Sequence, residues 1–189
     1  PAPAQKSCAE VGVTCLDGRG VLPDSSLGLT EVVWIGPESQ HVYVGSPSIW
    51  KMSNGSCLAS HDFFGKTSIS DTIQVFADHS GNCAGADSRW KYVGNLTGMY
   101  WANLFVPPVA NPKFPNAVYL VGVGGDDHSD HRAIVIARSL DYGMHWTNTT
   151  VLFPGDTTNG LTYHCAPTPV LVASTGHLYR AFEEHGNAN

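Results

Sequence analysis

Imidazoles, carboxylates and large aromatic rings recur in this chain where short apolar runs begin or end. His61-Asp62 closes the run Cys57-Leu58-Ala59-Ser60. Tyr163-His164 opens a later run, Tyr100-Trp101 opens another, and Arg180 and Glu183 flank Ala181-Phe182. An imidazole beside a carboxylate suits general acid–base catalysis, because its ordinary pKa of about 6.5 lets it take or give a proton near neutrality. Asp62 would orient the His61 ring and raise its basicity. Tyr163 with His164 would bind or ionise a substrate hydroxyl. Arg180 carries the planar fork that grips a carboxylate with two parallel bonds. The candidate catalytic residues are therefore His61, Asp62, His164 and Tyr163. The candidate substrate-binding residues are Tyr100, Trp101, Arg180 and Glu183. Aromatic faces for stacking on pyranose rings, with carboxylates and imidazoles as acid or base, suit sugar chemistry.

Each candidate has a structural alternative. His61 could cap a strand end, and Tyr163-His164 could be a packed pair. Arg180 could form an ion pair with Glu183, although strand alternation puts residues i and i+3 on opposite faces. The run Asp126–His131 holds three Asp and two His within six residues. Such donors could hold Ca²⁺ or a transition metal, but their order fits no calcium loop, and a solvated polar loop is the better reading. No cofactor or metal is expected.

The elements that must position these residues are strands. Helical periodicity is nearly absent, and short apolar runs alternate with Gly, Pro, Asn, Asp and Ser. Ser48–Met52, Asn54-Gly55 and Cys57–His61 read as strand, tight turn and strand, because Asn and Gly tolerate positive φ. The unit returns at Asn103–Val106 with Val118–Gly122, and at Pro169–Val172, Thr175-Gly176 and Leu178–Phe182. A third and a fourth strand follow twice: Thr72–Phe76 with Lys91–Gly94, and Ala133–Arg138 with Thr150–Phe153. The repeat is about 60 residues, and four antiparallel strands per repeat is a propeller blade.

Between strands three and four of the second repeat lies Ser139-Leu140-Asp141-Tyr142-Gly143-Met144-His145-Trp146. It matches the Asp-box, S-x-D-x-G-x-x-W, at all four fixed positions. The first repeat holds a degenerate form, Asp78-His79-Ser80-Gly81, then an insert with Cys83, then Trp90. The box is a self-contained turn: Ser and Asp bond local N–H groups, Gly allows the left-handed bend, and Trp seals it. From these residues the chain, over about 31–189, resembles the sialidase superfamily of Asp-box β-propellers. Sialidases carry an Arg-Ile-Pro segment whose arginine binds the sugar carboxylate. Here the matching segment is Gly45-Ser46-Pro47, and the missing arginine sets sialidase activity itself in question. Gly45–Ile49, Ala59–Gly65, Tyr163–Pro167 and Tyr179–Glu183 look like a sialidase-like group near propeller enzymes that act on rhamnosyl-glucuronate linkages. In those enzymes a histidine serves in catalysis.

The expected fold is all-β: a propeller of four-stranded antiparallel blades, here an incomplete N-terminal portion. It would comprise an irregular segment 1–30, blade 1 at 31–99, blade 2 at 100–160 and the start of blade 3 at 161–189. That is about two and a half blades of a six- or seven-bladed propeller. If the Asp-box loop lies on one face, the loops after second strands and the connections entering first strands lie on the other. That second face gathers His, Asp, Glu, Tyr and Trp, with Arg180 on the second strand of the third blade.

Composition narrows the partners. The chain has 189 residues, 42% hydrophobic and 14% charged, with net charge -6. Hydrophobic content at this level with so little charge excludes disorder, and no Lys/Arg cluster offers a nucleic-acid surface. No apolar stretch approaches the ~20 residues that span a bilayer. The chain begins at Pro1 rather than Met, as a processed or trimmed chain would. Three sequons (Asn54-Gly55-Ser56, Asn95-Leu96-Thr97, Asn148-Thr149-Thr150) and five cysteines favour an extracellular protein. Cys8 could pair with Cys15 and Cys57 with Cys83, or the thiols could be free and buried. The resemblance implies a secreted enzyme that cleaves an acidic polysaccharide, by hydrolysis or elimination. The alternative is a glycan-binding propeller without catalysis, and oligomeric state is not specified.

Overall fold

The computed structural model describes residues 14–16, 19–24, 29–34, 42–65, 72–81, 83, 89–108, 112–124, 132–156, 160–164 and 168–185. The run Asp126–His131, Cys8 and Cys165 lie outside these residues, as do residues 1–13 of the N-terminal segment. No helix occurs among the described residues, so none is long and apolar enough to cross a membrane.

The fold is all-β and built from four-stranded antiparallel blades of the propeller type. The first blade is a meander of β4 (Val42–Lys51), β5 (Cys57–Gly65), β6 (Thr72–Asp78) and β7 (Lys91–Thr97), paired in that order. The second repeats it with β8 (Tyr100–Phe105), β9 (Val118–Gly124), β10 (Ala133–Ser139) and β11 (Thr150–Phe153). A third hairpin follows in two ladder segments. In one, β12 (Thr162–His164) pairs with β15 (Glu183–His185); in the other, β13 (Leu171–Val172) pairs with β14 (Leu178–Tyr179). Earlier in the chain, β1 (Thr14–Leu16), β2 (Arg19–Asp24) and β3 (Leu29–Trp34) form a three-stranded antiparallel sheet. Composition alone reads much of this stretch as irregular. The local signals are Asp17-Gly18, the composition of a two-residue hairpin turn, and the β-branched run Thr30-Glu31-Val32-Val33.

Blades pack face to face. Leu58, Ile73 and Val75 of the first blade and Leu104, Val118 and Leu120 of the second form one buried core. Tyr100, Val121, Val123 and Ile134 join Tyr163 and Val170 in a second core, which seats the third hairpin. Each fully buried Leu here contributes about 2 kcal/mol of burial free energy. β9 and β10 are nearly continuous apolar runs because both of their faces are covered.

The turn Ser139–Trp146 closes one edge of the core between the blades. Ser139 Oγ donates to Asp141 Oδ1 at 2.8 Å and accepts the Gly143 N–H at 2.8 Å. Asp141 Oδ1 accepts the His145 N–H at 2.9 Å, and Trp146 Nε1 donates to the Gly143 carbonyl at 3.0 Å. Gly143 needs its left-handed φ of +87°, and an added Cβ would meet Val75 at 2.9 Å. In the first blade the chemistry at the matching place is exchanged: Asp78 ends β6, and its Oδ1 accepts the Ser80 N–H at 2.8 Å. There a Cys57–Cys83 disulfide ties the insert back to the β4–β5 hairpin, pairing two of the expected partners.

Candidate functional site

Three hairpins place equivalent residues side by side at the end opposite Ser139–Trp146. Cross-strand partners are Gly45 and Asp62 in the first blade, Tyr100 and Val123 in the second, and His164 and Glu183 in the third. Just beyond, the first strands of both complete blades bulge by one residue, between Gly45 and Ser48 and between Tyr100 and Asn103. A bulge kinks its strand and re-aims a side chain. At the kinks Ser46 has φ +48° and Trp101 has φ +51°, a left-handed conformation uncommon for side chains of this size. Opposite the second kink stands Gly122, where a Cβ would lie 2.7 Å from the Tyr100 carbonyl oxygen.

Trp101 is the meeting point. Its backbone N–H donates to Asp62 Oδ2 at 2.7 Å. Its indole lies 4.0 Å from the His164 ring, centroid to centroid, and 4.8 Å edge-on from Tyr100. The Arg132 guanidinium carbon lies 5.0 Å from the Trp101 centroid and 5.6 Å from that of Tyr100. His164 Nδ1 is 3.3 Å from Glu183 Oε2, and these side chains are 41% and 69% exposed. The structure thus brings Asp62, Tyr100, Trp101, His164 and Glu183 into one chain of contacts across three blades.

The remaining candidates lie beneath or behind. His61 is buried against Phe76, ring centroids 5.3 Å apart, with Nδ1 3.3 Å from the Asp62 carbonyl oxygen. Burial lowers its pKa below 6.5, outweighing the Asp62 carbonyl and carboxylate, which raise it. Asp62 is 1% exposed. Burial pushes its carboxyl above the ordinary 3.8, against hydrogen bonds from the Trp101 N–H and the Ser46 hydroxyl. Tyr163 is buried, edge-on to Phe182 at 5.3 Å, and its N–H donates to the Arg132 carbonyl at 3.1 Å.

Arg180 forms no ion pair with Glu183. It donates to Asn103 Oδ1, to the Thr168 carbonyl at 2.7 Å and to the Trp101 carbonyl at 3.4 Å. Its fork therefore ties the third hairpin to the second blade. Arg132 was not among the residues singled out from sequence. The signal that points to it is its place, immediately before β10 at the same end as the other candidates. Among the described residues no group of three or more His, Cys, Asp or Glu is arranged to hold a metal ion.

No family model matches the chain, and no curated protein matches it. Among solved structures it is similar to the GH93 α-L-arabinofuranosidase of Fusarium graminearum in complex with arabinobiose. The identity is 17% and the TM-score 0.45, over 71% of this chain and 36% of that one. It is also similar to the Penicillium chrysogenum α-L-arabinanase complexed with arabinobiose, at 13% identity and TM-score 0.47, over 72% of this chain and 38% of that one. The chain thus spans little more than a third of the length of either.

Proposed function

We propose that this chain is part of a secreted, sialidase-like carbohydrate-active propeller that cleaves a glycosidic linkage in an acidic polysaccharide. The observation that carries the reading is the half-exposed His164–Glu183 pair set against the Trp101 indole. The indole supplies a face for a pyranose ring, and the imidazole supplies a proton acceptor at bonding range of a ring substituent. The Glu183 carboxylate lies 3.3 Å from the imidazole Nδ1, on the strand paired with that of His164. In hydrolysis His164 takes a proton from the attacking water while the glycosidic C–O bond breaks and the leaving oxygen takes a proton from solvent. In elimination it takes the proton from the carbon beside the uronate carboxyl, a C=C bond forms as the adjacent C–O bond breaks, and the leaving oxygen again takes a proton from solvent. Asp62 acts from below, holding the Trp101 backbone N–H, with His61 buried beside it, and Tyr163 supports the His164 strand. The hydrogen-bonded Ser139–Trp146 turn supports the Asp-box likeness. Exposed Asn54, Asn95 and Asn148, with the disulfide, support passage through a secretory pathway.

A second reading, glycan binding without cleavage, is favoured by one fact: the Asp62 carboxylate is buried and engaged with Trp101, so it does not face substrate as half of an acid–base pair. Incubating the chain with uronate-containing polysaccharides and following reducing ends and unsaturated products separates the two. Release of either product, abolished in His164→Gln, supports catalysis. Retention of glycan without product supports the lectin reading, and neither binding nor product overturns both.

A further inference from the structure

We infer that Arg132 selects an anionic substituent, carboxylate or sulfate, on the glycan that Trp101 receives; this rests on the site being a glycan site. Two arginines reach Trp101, and they differ in what their N–H groups do. Arg180 is engaged with Asn103, Thr168 and the Trp101 carbonyl, so its fork holds the hairpin together. Arg132 instead lies over the Trp101 and Tyr100 rings, and its guanidinium has no hydrogen-bonded or ionic partner among the described residues. Ring contact engages a guanidinium without using its N–H donors, which lie in the guanidinium plane. Its backbone is fixed as well, because the Arg132 carbonyl accepts the Tyr163 N–H. A planar donor fork with fixed position and open donors matches two oxygens of one carboxylate or sulfate. In a chain of net charge -6 this cation rests on the same indole that His164 contacts.

The test is a tryptophan-fluorescence titration of the full chain with three probes: oligogalacturonate, its methyl ester, and a sulfated galactan oligosaccharide. The expected result is about tenfold tighter binding of at least one anionic probe than of the ester. Which anionic probe wins distinguishes carboxylate from sulfate. In Arg132→Gln the ratio of anionic to ester affinity falls to about one, and in Arg132→Lys it falls part-way, because charge remains without the fork. Near-UV circular dichroism verifies that both variants fold. Equal affinity of the parent chain for ester and anions, or an unchanged ratio in Arg132→Gln, overturns the assignment while leaving the glycan site standing. Binding of none of the probes overturns the glycan site, and this inference with it.

Discussion

The Asp62 carboxylate accepts the Trp101 backbone N–H at 2.7 Å across the seam between two blades. The acceptor is a buried carboxyl oxygen and the donor belongs to a residue with left-handed backbone. A hydrogen bond to a buried carboxylate is among the stronger ones available to a protein. Here it fixes the kink that sets the indole against His164.

Strain at that kink has a direct signature. Trp101→Gly and Trp101→Ala both delete the indole, but only glycine adopts φ near +50° without a Cβ penalty. The glycine variant should be the more stable by about 1 kcal/mol in urea unfolding. Equal midpoints and slopes would show that the conformation carries no strain.

Removing the acceptor tests the other partner. Asp62→Ala leaves the Trp101 N–H without its carboxylate and should lower stability by about 2 kcal/mol. It should also weaken any glycan affinity read through Trp101, although Asp62 is too buried to meet the glycan. Loss of stability with affinity intact would remove Asp62 from the site.

The pH dependence of folding should carry the His61 signature. Its folded pKa lies below 6.5, so below that pH the unfolded chain binds more protons than the folded one. Stability therefore falls as pH drops through this window. Asp62 has the opposite sign: its raised pKa makes the folded chain the better proton binder just above 3.8, so its ionisation lowers stability as pH rises. Comparing the chain with His61→Gln isolates the first effect. Between about pH 7.5 and about pH 5 the variant should lose fewer degrees of Tm than the parent. Parallel curves would mean that His61 titrates as it does in the unfolded chain.

Arg180→Met should loosen the third hairpin. Its three acceptors lie on Asn103, Thr168 and Trp101, and losing them should cost about 2–3 kcal/mol. Amide exchange in β13 and β14 should quicken relative to β5 and β9, while the preference for anionic glycan persists. An exchange pattern unchanged in β13 and β14 would contradict the stapling role.

Much of this architecture is local and was readable as such. Gly55 and Gly176 have φ of +90° and +81°, as their hairpin-turn dipeptides require, and the eight blade strands fall on the predicted apolar runs. The Ser139–Trp146 turn is equally local, since its hydrogen bonds join residues no more than four apart. What escaped is non-local. Asp62 meets Trp101 across 39 positions and Arg180 meets Asn103 across 77, and no periodicity records such pairings. Residue type alone made Arg180 a carboxylate binder; the acceptors around it give it another occupation. Arg132 escaped because it follows a polar run that reads as solvated, and only the fold carries it over two aromatic rings.

The paired kinks at Ser46 and Trp101 share nearly the same φ but carry one of the smallest and the largest of side chains. What the blades repeat is a mounting point rather than a residue. Backbone and side chain are thereby decoupled: the kink supplies direction, and whatever sits on it supplies chemistry. A new recognition surface can then arise by exchanging one side chain per blade, with the scaffold unchanged. Ser46 is the small-side-chain counterpart of the indole next door.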